Sequence, residues 1–263
     1  MNREYILPAA VVAWFLLLAL AEVIAARRFA KSQRTTDRRL LANFRLTALV
    51  ILCGTLFPVA GAAIISERLG IGLAQSVALP AALVFVVTLI AQTFAAYWSH
   101  RMMHALPLLW RIHRVHHSDG AVDVSTSFRN HPFELLFTTP PAMLAILIVG
   151  PPIEIVAVTQ TLLSAAAIWE HADIPLPARI ERMLASIIVT PRLHRLHHSP
   201  ERQIHDRNFG VMLILWDRLF GTFDGRMGRG RVGLDGEPIR PDHLLDQLCS
   251  PLRGARTRTS AAS

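Results

Sequence analysis

The chain is poor in the residues that build disulfides and thiolate metal sites. Its 263 residues include two cysteines, Cys53 and Cys249, and no Cys-x-x-Cys pair, so neither a disulfide scaffold nor a thiolate-bound metal is indicated. Lysine is scarcer still, with Lys31 alone. The net charge of +8 therefore comes from arginine. Because the arginines flank apolar runs and are not interleaved with aromatic residues, we do not expect nucleic-acid binding.

Sequence motifs that carry common cofactors are also absent. We find no haem, flavin or nucleotide motif, and no His-Glu-x-x-His sequence that would supply a general base beside zinc. Any redox chemistry would therefore need electrons from a separate donor. The absences weaken, without removing, the alternative of a zinc-dependent membrane hydrolase.

Long apolar runs are plentiful, since 52% of the residues are hydrophobic. Several runs reach the roughly 20 residues that a helix needs to cross a bilayer. They predict an all-α bundle of integral membrane helices, in which Pro151 and Pro152 turn the last two runs into a hairpin over about 133–169. The runs are Ile6–Ala26, Leu46–Ile65, Ile71–Trp98, Phe133–Gly150 and Ile153–Trp169.

Charge orients these segments. The loop over 27–45 carries seven basic residues against the single acid Asp37, so the positive-inside rule puts it in the cytoplasm. The run that follows then leads outward to Ser66–Gly70. The next run returns, which brings His100 to the cytoplasmic face of the membrane.

Histidine is concentrated in three short boxes. Eight of the twelve histidines lie in His100–His104, His113–His117 and His194–His198. Positions i, i+3 and i+4 share one face of a helix, so each box can aim its imidazoles at one point. Imidazole binds iron, zinc, copper and nickel, and eight imidazoles exceed one tetrahedral ion. The pattern predicts two metal ions, although a cationic patch for lipid headgroups is the plainer alternative.

The ordered boxes resemble the fatty acid hydroxylase/sterol desaturase superfamily of membrane oxygenases. The resemblance runs from about His100 to Asp224 and includes Glu170-His-Ala-Asp-Ile174, Asn208-Phe-Gly210 and Trp216-Asp-Arg-Leu-Phe-Gly-Thr222. Some members place a further histidine where this chain has Ala167. The first hundred residues match only in being hydrophobic.

The resemblance implies a non-haem di-iron centre that uses O₂ to hydroxylate or desaturate an unactivated C–H bond of a lipid. Its electrons would come from a cytochrome b5-like protein, a ferredoxin or a reductase. The family leads us to expect no catalytic residue beyond the metal centre. The implied metal ligands are His100, His104, His113, His116, His117, His171, His194, His197 and His198.

Polar residues near the boxes are candidates to support these ligands, because a metal-bound imidazole usually donates its second N–H to a carboxylate or carbonyl. We expect this role for His131, Glu170, Asp173 and Asp119. A metal transporter is a third possible class, and it should place polar residues at mid-membrane depth.

The predicted organisation has three parts. Residues 1–98 hold the N-terminal membrane helices. Residues 99–249 form the catalytic region, which includes the membrane hairpin over about 133–169 and a helical cap on the cytosolic side, and 250–263 form a disordered tail. We expect an integral protein of a bacterial inner membrane. The lipid substrate and the oligomeric state are not specified by the sequence.

Overall fold

The computed structural model describes residues 5–28, 37–226, 230–235, 239–240 and 242–253. Within these ranges the chain is helical and forms no β-strand, only an isolated antiparallel bridge between Ile188 and Leu213. The all-α prediction is therefore confirmed. The helices are α1 (Ile6–Arg28), α2 (Asp37–Gly54), α3 (Gly61–Leu69), α4 (Leu73–Ser76), α5 (Ala81–Ala105), α6 (Pro107–His117), α7 (Leu135–Val149), α8 (Ile153–His171), α9 (Ala178–Leu184), α10 (Pro191–His197), α11 (Arg202–His205), α12 (Leu215–Leu219) and α13 (Leu244–Cys249).

Four helical segments in the described part of the chain are long and apolar enough to cross a membrane. Their outward faces carry large apolar side chains, such as Leu17 on α1 and Ile148 on α7, which are 56% and 62% exposed. So much exposed apolar surface suits lipid and not water. The integral membrane bundle is thus confirmed. The segments are Ile6–Arg27, Ala81–Ala105, Pro132–Val149 and Ile153–His171.

Two of the predicted spans have different bounds. The run Leu46–Ile65 is not one helix, because α2 ends at Gly54 and α3 begins only at Gly61, after a turn that contains Pro58. The expected outer loop Ser66–Gly70 belongs mostly to α3. Hydropathy alone does not detect such breaks, since the turn residues are themselves largely apolar.

The third run, Ile71–Trp98, is also interrupted. Pro80 precedes α5 in an extended conformation, so the spanning helix starts at Ala81. The chain still reaches the far end of the bundle before it returns. A Cβ on Gly72 would lie 2.6 Å from the Cα of Gly150 in the α7–α8 turn, where both glycines adopt positive φ angles. This contact puts 70–72 at the end of the bundle opposite the histidine boxes.

The two long helices α7 and α8 meet at that turn. Gly150 ends α7 in the left-handed conformation, and Pro152 directly precedes α8, as expected where a glycine ends one helix and prolines prevent its continuation. Away from the turn, α7 packs on α3 and α5, whereas α8 packs on α1, α5 and α10. The arrangement leaves an interior space between α5, α7 and α8.

Short helices at the other end of the bundle form a cap that carries the boxes. Pro107 opens α6 directly after α5, because proline suits the first turn of a helix and forces the residue before it to be extended. Pro191 opens α10 in the same way, and the Thr190 hydroxyl accepts the N–H of Leu193. These two prolines fix where the second and third boxes begin their helices.

Buried ion pairs tie α2 to the cap. The Arg39 guanidinium contacts Asp119 at 2.5 Å and Asp123 at 2.8 Å. Asp119 is fully buried. Burial raises the pKa of its carboxyl, but hydrogen bonds and charges from Arg39 and Arg129 outweigh this and lower the pKa below its usual value. The start of α2 therefore lies beside the second histidine box.

The predicted disorder after residue 249 is wrong for the first few residues. Ser250–Leu252 form a 3₁₀ turn, and the guanidinium of the fully buried Arg114 donates to the carbonyl oxygen of Ser250 at 2.5 Å. Residues 254–263, like 29–36 of the basic loop, lie outside the described residues.

Candidate metal centre

Five buried histidines form the first imidazole group. Each offers a ring nitrogen, and these nitrogens lie within 4.8 Å of one another. The Nε2 atom of every member is buried and has no hydrogen-bond partner. Because unpaired buried polar atoms are costly, five such atoms turned to one point indicate a site that fits a cation. The members are His100, His104, His113, His117 and His197.

Four more buried histidines, His116, His171, His194 and His198, form the second imidazole group. Their Nε2 atoms are separated by 3.1 Å between His171 and His116, 3.0 Å between His194 and His171, and 3.2 Å between His198 and His194. Two nitrogens bound at about 2.1 Å to one ion at a right angle would be about 3.0 Å apart. The spacing suits ligands of a single ion.

Helical geometry distributes each box between the two groups. In the second box, His113 and His117 join the first group, and His116 joins the second. The third box does the reverse, because His197 joins the first group while His194 and His198 join the second. Residues i and i+4 lie one above the other, and i+3 is turned to one side.

The two groups adjoin. The rings of His117 and His198, one from each group, stack with centroids 4.6 Å apart. His100 and His104 at the end of α5 complete the first group, and His171 at the end of α8 completes the second. The structure thus brings all nine predicted ligands together in two adjacent groups.

Hydrogen bonds to Nδ1 fix the direction of several rings. Nδ1–H of His100 donates to the carbonyl oxygen of Phe209 at 2.9 Å, and that of His197 donates to the carbonyl oxygen of Arg207 at 2.8 Å. A carbonyl can only accept, so the proton is on Nδ1 and the lone pair is on Nε2. Such bonds set the tautomer of metal-binding histidines.

Two facing imidazoles of the second group are in a conflict that a cation would relieve. His116 Nδ1 donates to the carbonyl oxygen of Arg129 at 3.3 Å, and His171 Nδ1 donates to that of Ala167 at 2.7 Å. Both Nε2 atoms then carry lone pairs, yet they face each other at 3.1 Å. Two lone pairs repel at this distance, whereas a metal ion between them would bind both.

Burial also favours the neutral, metal-binding form of the imidazoles. Burial in the cap lowers the pKa well below the usual histidine value, and neighbouring imidazoles lower it further, because a buried positive charge is poorly solvated. This holds for His116, His117, His194, His197 and His198.

Two carboxylates contact the first imidazole group. Glu134 Oε2 lies 3.2 Å from His113 Nδ1, and Asp206 Oδ1 lies 3.2 Å from His104 Nδ1. The Glu134 side chain is 7% exposed and that of Asp206 is 35% exposed. Asp206 and His205 also form a further cluster with His104.

The four residues expected to support the ligands are placed differently from one another. Glu170 is close, since its Oε2 lies 3.9 Å from His194 Nδ1 while its Oε1 accepts the N–H of Met212. Asp173 pairs with Arg195 at 3.5 Å. The hydrogen bonds of Asp119 go to Arg39, Asn43, Thr126 and its own loop. None of these bonds reaches a histidine in the described part of the chain.

His131 is outside both imidazole groups. Its Nδ1 accepts the N–H of Phe133, and its Nε2 donates to the carbonyl oxygen of Leu248 at 3.1 Å. Its own N–H donates to Glu134 Oε1. His131 therefore contacts the carboxylate that contacts His113, and not the histidine itself.

The contacts of Asp217 that support the first imidazole group could not be predicted from the sequence. This buried carboxylate accepts the N–H groups of Phe209 at 2.8 Å and Gly210 at 2.7 Å, and the hydroxyl of Thr222. It thereby fixes the Phe209 carbonyl that accepts from His100. The Asn-Phe-Gly and Trp-Asp-x-x-Phe-Gly-Thr segments were visible in the sequence, but their contact was not.

A cavity of about 370 Å³ lies between α5, α7 and α8, and both imidazole groups contribute to its lining. His100, His113, His116, His171 and His194 line it at the cap. Ala96, Ala142 and Leu163 line it within the membrane-spanning part of the bundle. The cavity therefore connects the imidazole groups with the apolar interior.

Comparison with known proteins gives this arrangement its family. The chain is 30% identical over 174 residues to the ornithine lipid hydroxylase OlsE of Rhizobium tropici. This match covers 65% of the chain and 51% of that protein. It is 32% identical over 147 residues to human alkylglycerol monooxygenase, covering 54% of the chain and 31% of the relative. It is 25% identical over 138 residues to methylsterol monooxygenase 2-2 of Arabidopsis thaliana, and this match covers 52% of the chain and 50% of that protein.

The chain thus spans about a third to a half of the length of these relatives. No solved structure matches it. A model of the fatty acid hydroxylase family matches residues 85–222, which is just over half of the chain and includes both imidazole groups. The chain belongs to the fatty acid hydroxylase family.

Proposed function

We propose that this protein is a membrane-bound non-haem di-iron oxidoreductase that hydroxylates an unactivated C–H bond of a lipid, using O₂ and electrons from an external donor. The observation that carries the proposal is the position of the two imidazole groups, at the cap end of a cavity that continues between membrane-spanning helices. The three relatives named above are lipid hydroxylases or monooxygenases.

The donor set suits two ions of a metal such as iron. The proposed ligands are His100, His104, His113, His117 and His197 for one ion, and His116, His171, His194 and His198 for the other. Five imidazoles exceed a tetrahedral zinc site. When bound, the two irons would supply the activation of O₂ and the removal of hydrogen from the C–H bond.

The chain itself would hold and orient the reactants. An acyl chain or sterol offers no polar handle at the carbon that reacts, so the rate depends on holding that carbon at the metal and excluding water. Ala96 and Leu163 supply apolar walls below the imidazole groups. Glu134 and the Phe209 carbonyl hold His113 and His100 in the tautomer that turns Nε2 inward.

Hydroxylation is favoured over desaturation because the relatives are named as hydroxylases and monooxygenases. The electron donor we propose is a separate cytochrome b5-like protein, ferredoxin or reductase, since the sequence has no haem, flavin or nucleotide motif.

We also propose that the metal centre faces the cytoplasm of a bacterial inner membrane. The positive-inside rule puts residues 27–45 in the cytoplasm. Arg39, in the first turn of α2 within this segment, pairs with Asp119 beside the second box. The start of α2 and the imidazole groups are therefore on one side of the bundle. The relative from Rhizobium tropici is bacterial.

Comparative lipid analysis tests the proposal in cells. Cells with the wild-type chain should contain a lipid class that is heavier by one oxygen than in cells with the His116→Ala variant. His243→Ala is the matched control, because His243 caps α13, far along the chain from both imidazole groups. A lipid class lighter by two hydrogens would indicate desaturation. Identical lipids in the wild-type and His116→Ala cells would contradict the proposal.

A further inference from the structure

Three polar side chains form a hydrogen-bonded group in the membrane-spanning part of the bundle, well away from the metal centre. Gln92 is on α5, and Thr159 and Gln160 are on α8. The Gln92 amide donates to the Thr159 hydroxyl at 2.9 Å, and the Gln160 amide donates to the Gln92 carbonyl oxygen at 2.8 Å. Polar groups at this depth are costly unless they are paired or functional.

Pairing of α5 with α8 needs only the first two of these residues. Gln92 is 2% exposed and Thr159 is fully buried, so the bond between them is an ordinary contact between membrane helices. Gln160 is a further member that lines the cavity. An amide has two N–H donors and an oxygen that accepts twice, and Gln160 uses a single N–H in the described contacts. Turning the amide over still leaves an unpaired donor or acceptor toward the cavity.

Gln160 lies about three helical turns from the imidazoles, in the same cavity. It precedes His171 on α8 by eleven residues, and Gln92 precedes His100 on α5 by eight. At about 1.5 Å per residue, these separations are roughly 16 Å and 12 Å. Ala96, Leu163 and other mainly apolar side chains line the space between, with two threonines of α7 among them. The cavity thus has a metal-binding end, a mostly apolar middle and a polar end.

We propose that Gln160 is a specificity-determining residue that binds a hydroxyl group of the lipid, about 12–16 Å from the carbon held at the imidazole groups. A hydroxyl both donates and accepts, as the free valences of the Gln160 amide require. No lysine or arginine lines the cavity, so a carboxylate or phosphate at that end would lack a counter-charge. The substrate class is therefore a long lipid with an uncharged hydroxyl remote from its site of oxidation.

The direction of the lipid in the cavity rests on the oxidative function proposed above, but binding of the hydroxyl does not. A metal transporter would also place polar groups at mid-membrane depth. Gln92, Thr159 and Gln160 offer only amide and hydroxyl groups, however, which are poor ligands for transition metals compared with imidazole. These three residues fit recognition of a hydroxyl better than passage of an ion.

Equilibrium binding to the purified chain in detergent tests the assignment. The probes are a long-chain primary alcohol and the 1-fluoroalkane of the same chain length, which differ only in the hydroxyl group. One added hydrogen bond should make wild-type protein prefer the alcohol roughly fivefold. Gln160→Met keeps the length of the side chain and should abolish the preference. Thr161→Val is the control, because Thr161 bonds within α8 and does not line the cavity.

Metal content of each variant reports whether it is folded, and a shortened amide, Gln160→Asn, should give an intermediate preference. Equal preference in wild type and Gln160→Met, or no preference in wild type, overturns the assignment. The preference should survive removal of metal by a chelator. If lipids are oxidised without any preference, this inference fails and the proposed function stands. If the hydroxyl preference is found but no lipid is oxidised, this inference stands and the proposed function fails.

Discussion

Replacing Glu134 by glutamine should weaken metal binding far more than replacing Asp206 by asparagine. Both carboxylates contact Nδ1 of a histidine in the first imidazole group at 3.2 Å, so distance alone predicts equal effects. Glu134 also makes a second hydrogen bond, because its other carboxylate oxygen accepts the backbone N–H of His131. Glutamine has only one oxygen, so one buried N–H would face an NH₂ group.

The two environments set the magnitudes. The Glu134 side chain is 7% exposed, and loss of a buried partner of this kind should weaken metal binding about tenfold to a hundredfold. The Asp206 side chain is 35% exposed, so water can replace its contact. Exposed pairs contribute about 0–1 kcal/mol, which corresponds to less than about fivefold.

Competition between the protein and a chelator for Fe²⁺, measured anaerobically, gives both affinities. Glu134→Gln should release one of two metal ions at a lower chelator concentration than wild type, and Asp206→Asn should behave nearly as wild type. Equal effects of the two substitutions, or wild-type affinity in Glu134→Gln, would refute the argument from burial.

Three further outcomes follow from the same contacts. His116→Ala and His197→Ala should each lose metal and activity but still insert into the membrane, whereas His243→Ala should keep its metal and activity. Full metal content in the first two variants would exclude these histidines as ligands. Arg39→Met should reduce the free energy of unfolding by about 3–5 kcal/mol, because Asp119 stays buried without its main counter-charge; an unchanged melting temperature would contradict this. Removal of metal should lower the melting temperature reversibly, since a ligand at a thousand times its Kd stabilises by about 4 kcal/mol; a chelated protein that melts as before would disagree.

The sequence was informative where chemistry and local geometry coincide. Two helical boxes with the spacing i, i+3 and i+4 were enough to predict converging imidazoles, and the structure brings these histidines together in two groups. His171 joined the expected set through the family resemblance and its place at the end of an apolar run. The α7–α8 turn at Pro151 and Pro152 could be predicted for a similar reason, because proline and glycine act locally.

Contacts across long stretches of chain were beyond prediction. Asp206 contacts His104 although 102 residues separate them in the sequence. Asp217 acts on His100 through the backbone carbonyl of Phe209. No local pattern encodes either contact. The break in Leu46–Ile65 was missed because an average of hydropathy over a run ignores where a turn interrupts the helix. Gln92 and Gln160 were overlooked for the same reason, as two amides hardly change the mean of an apolar run.

Metal analysis of the purified protein, combined with an O₂-dependence assay, tests the central claim most directly. We expect two irons per chain, together with consumption of a reductant and oxidation of lipid only when O₂ is present. Zinc in place of iron, with activity that persists under anaerobic conditions, would contradict it.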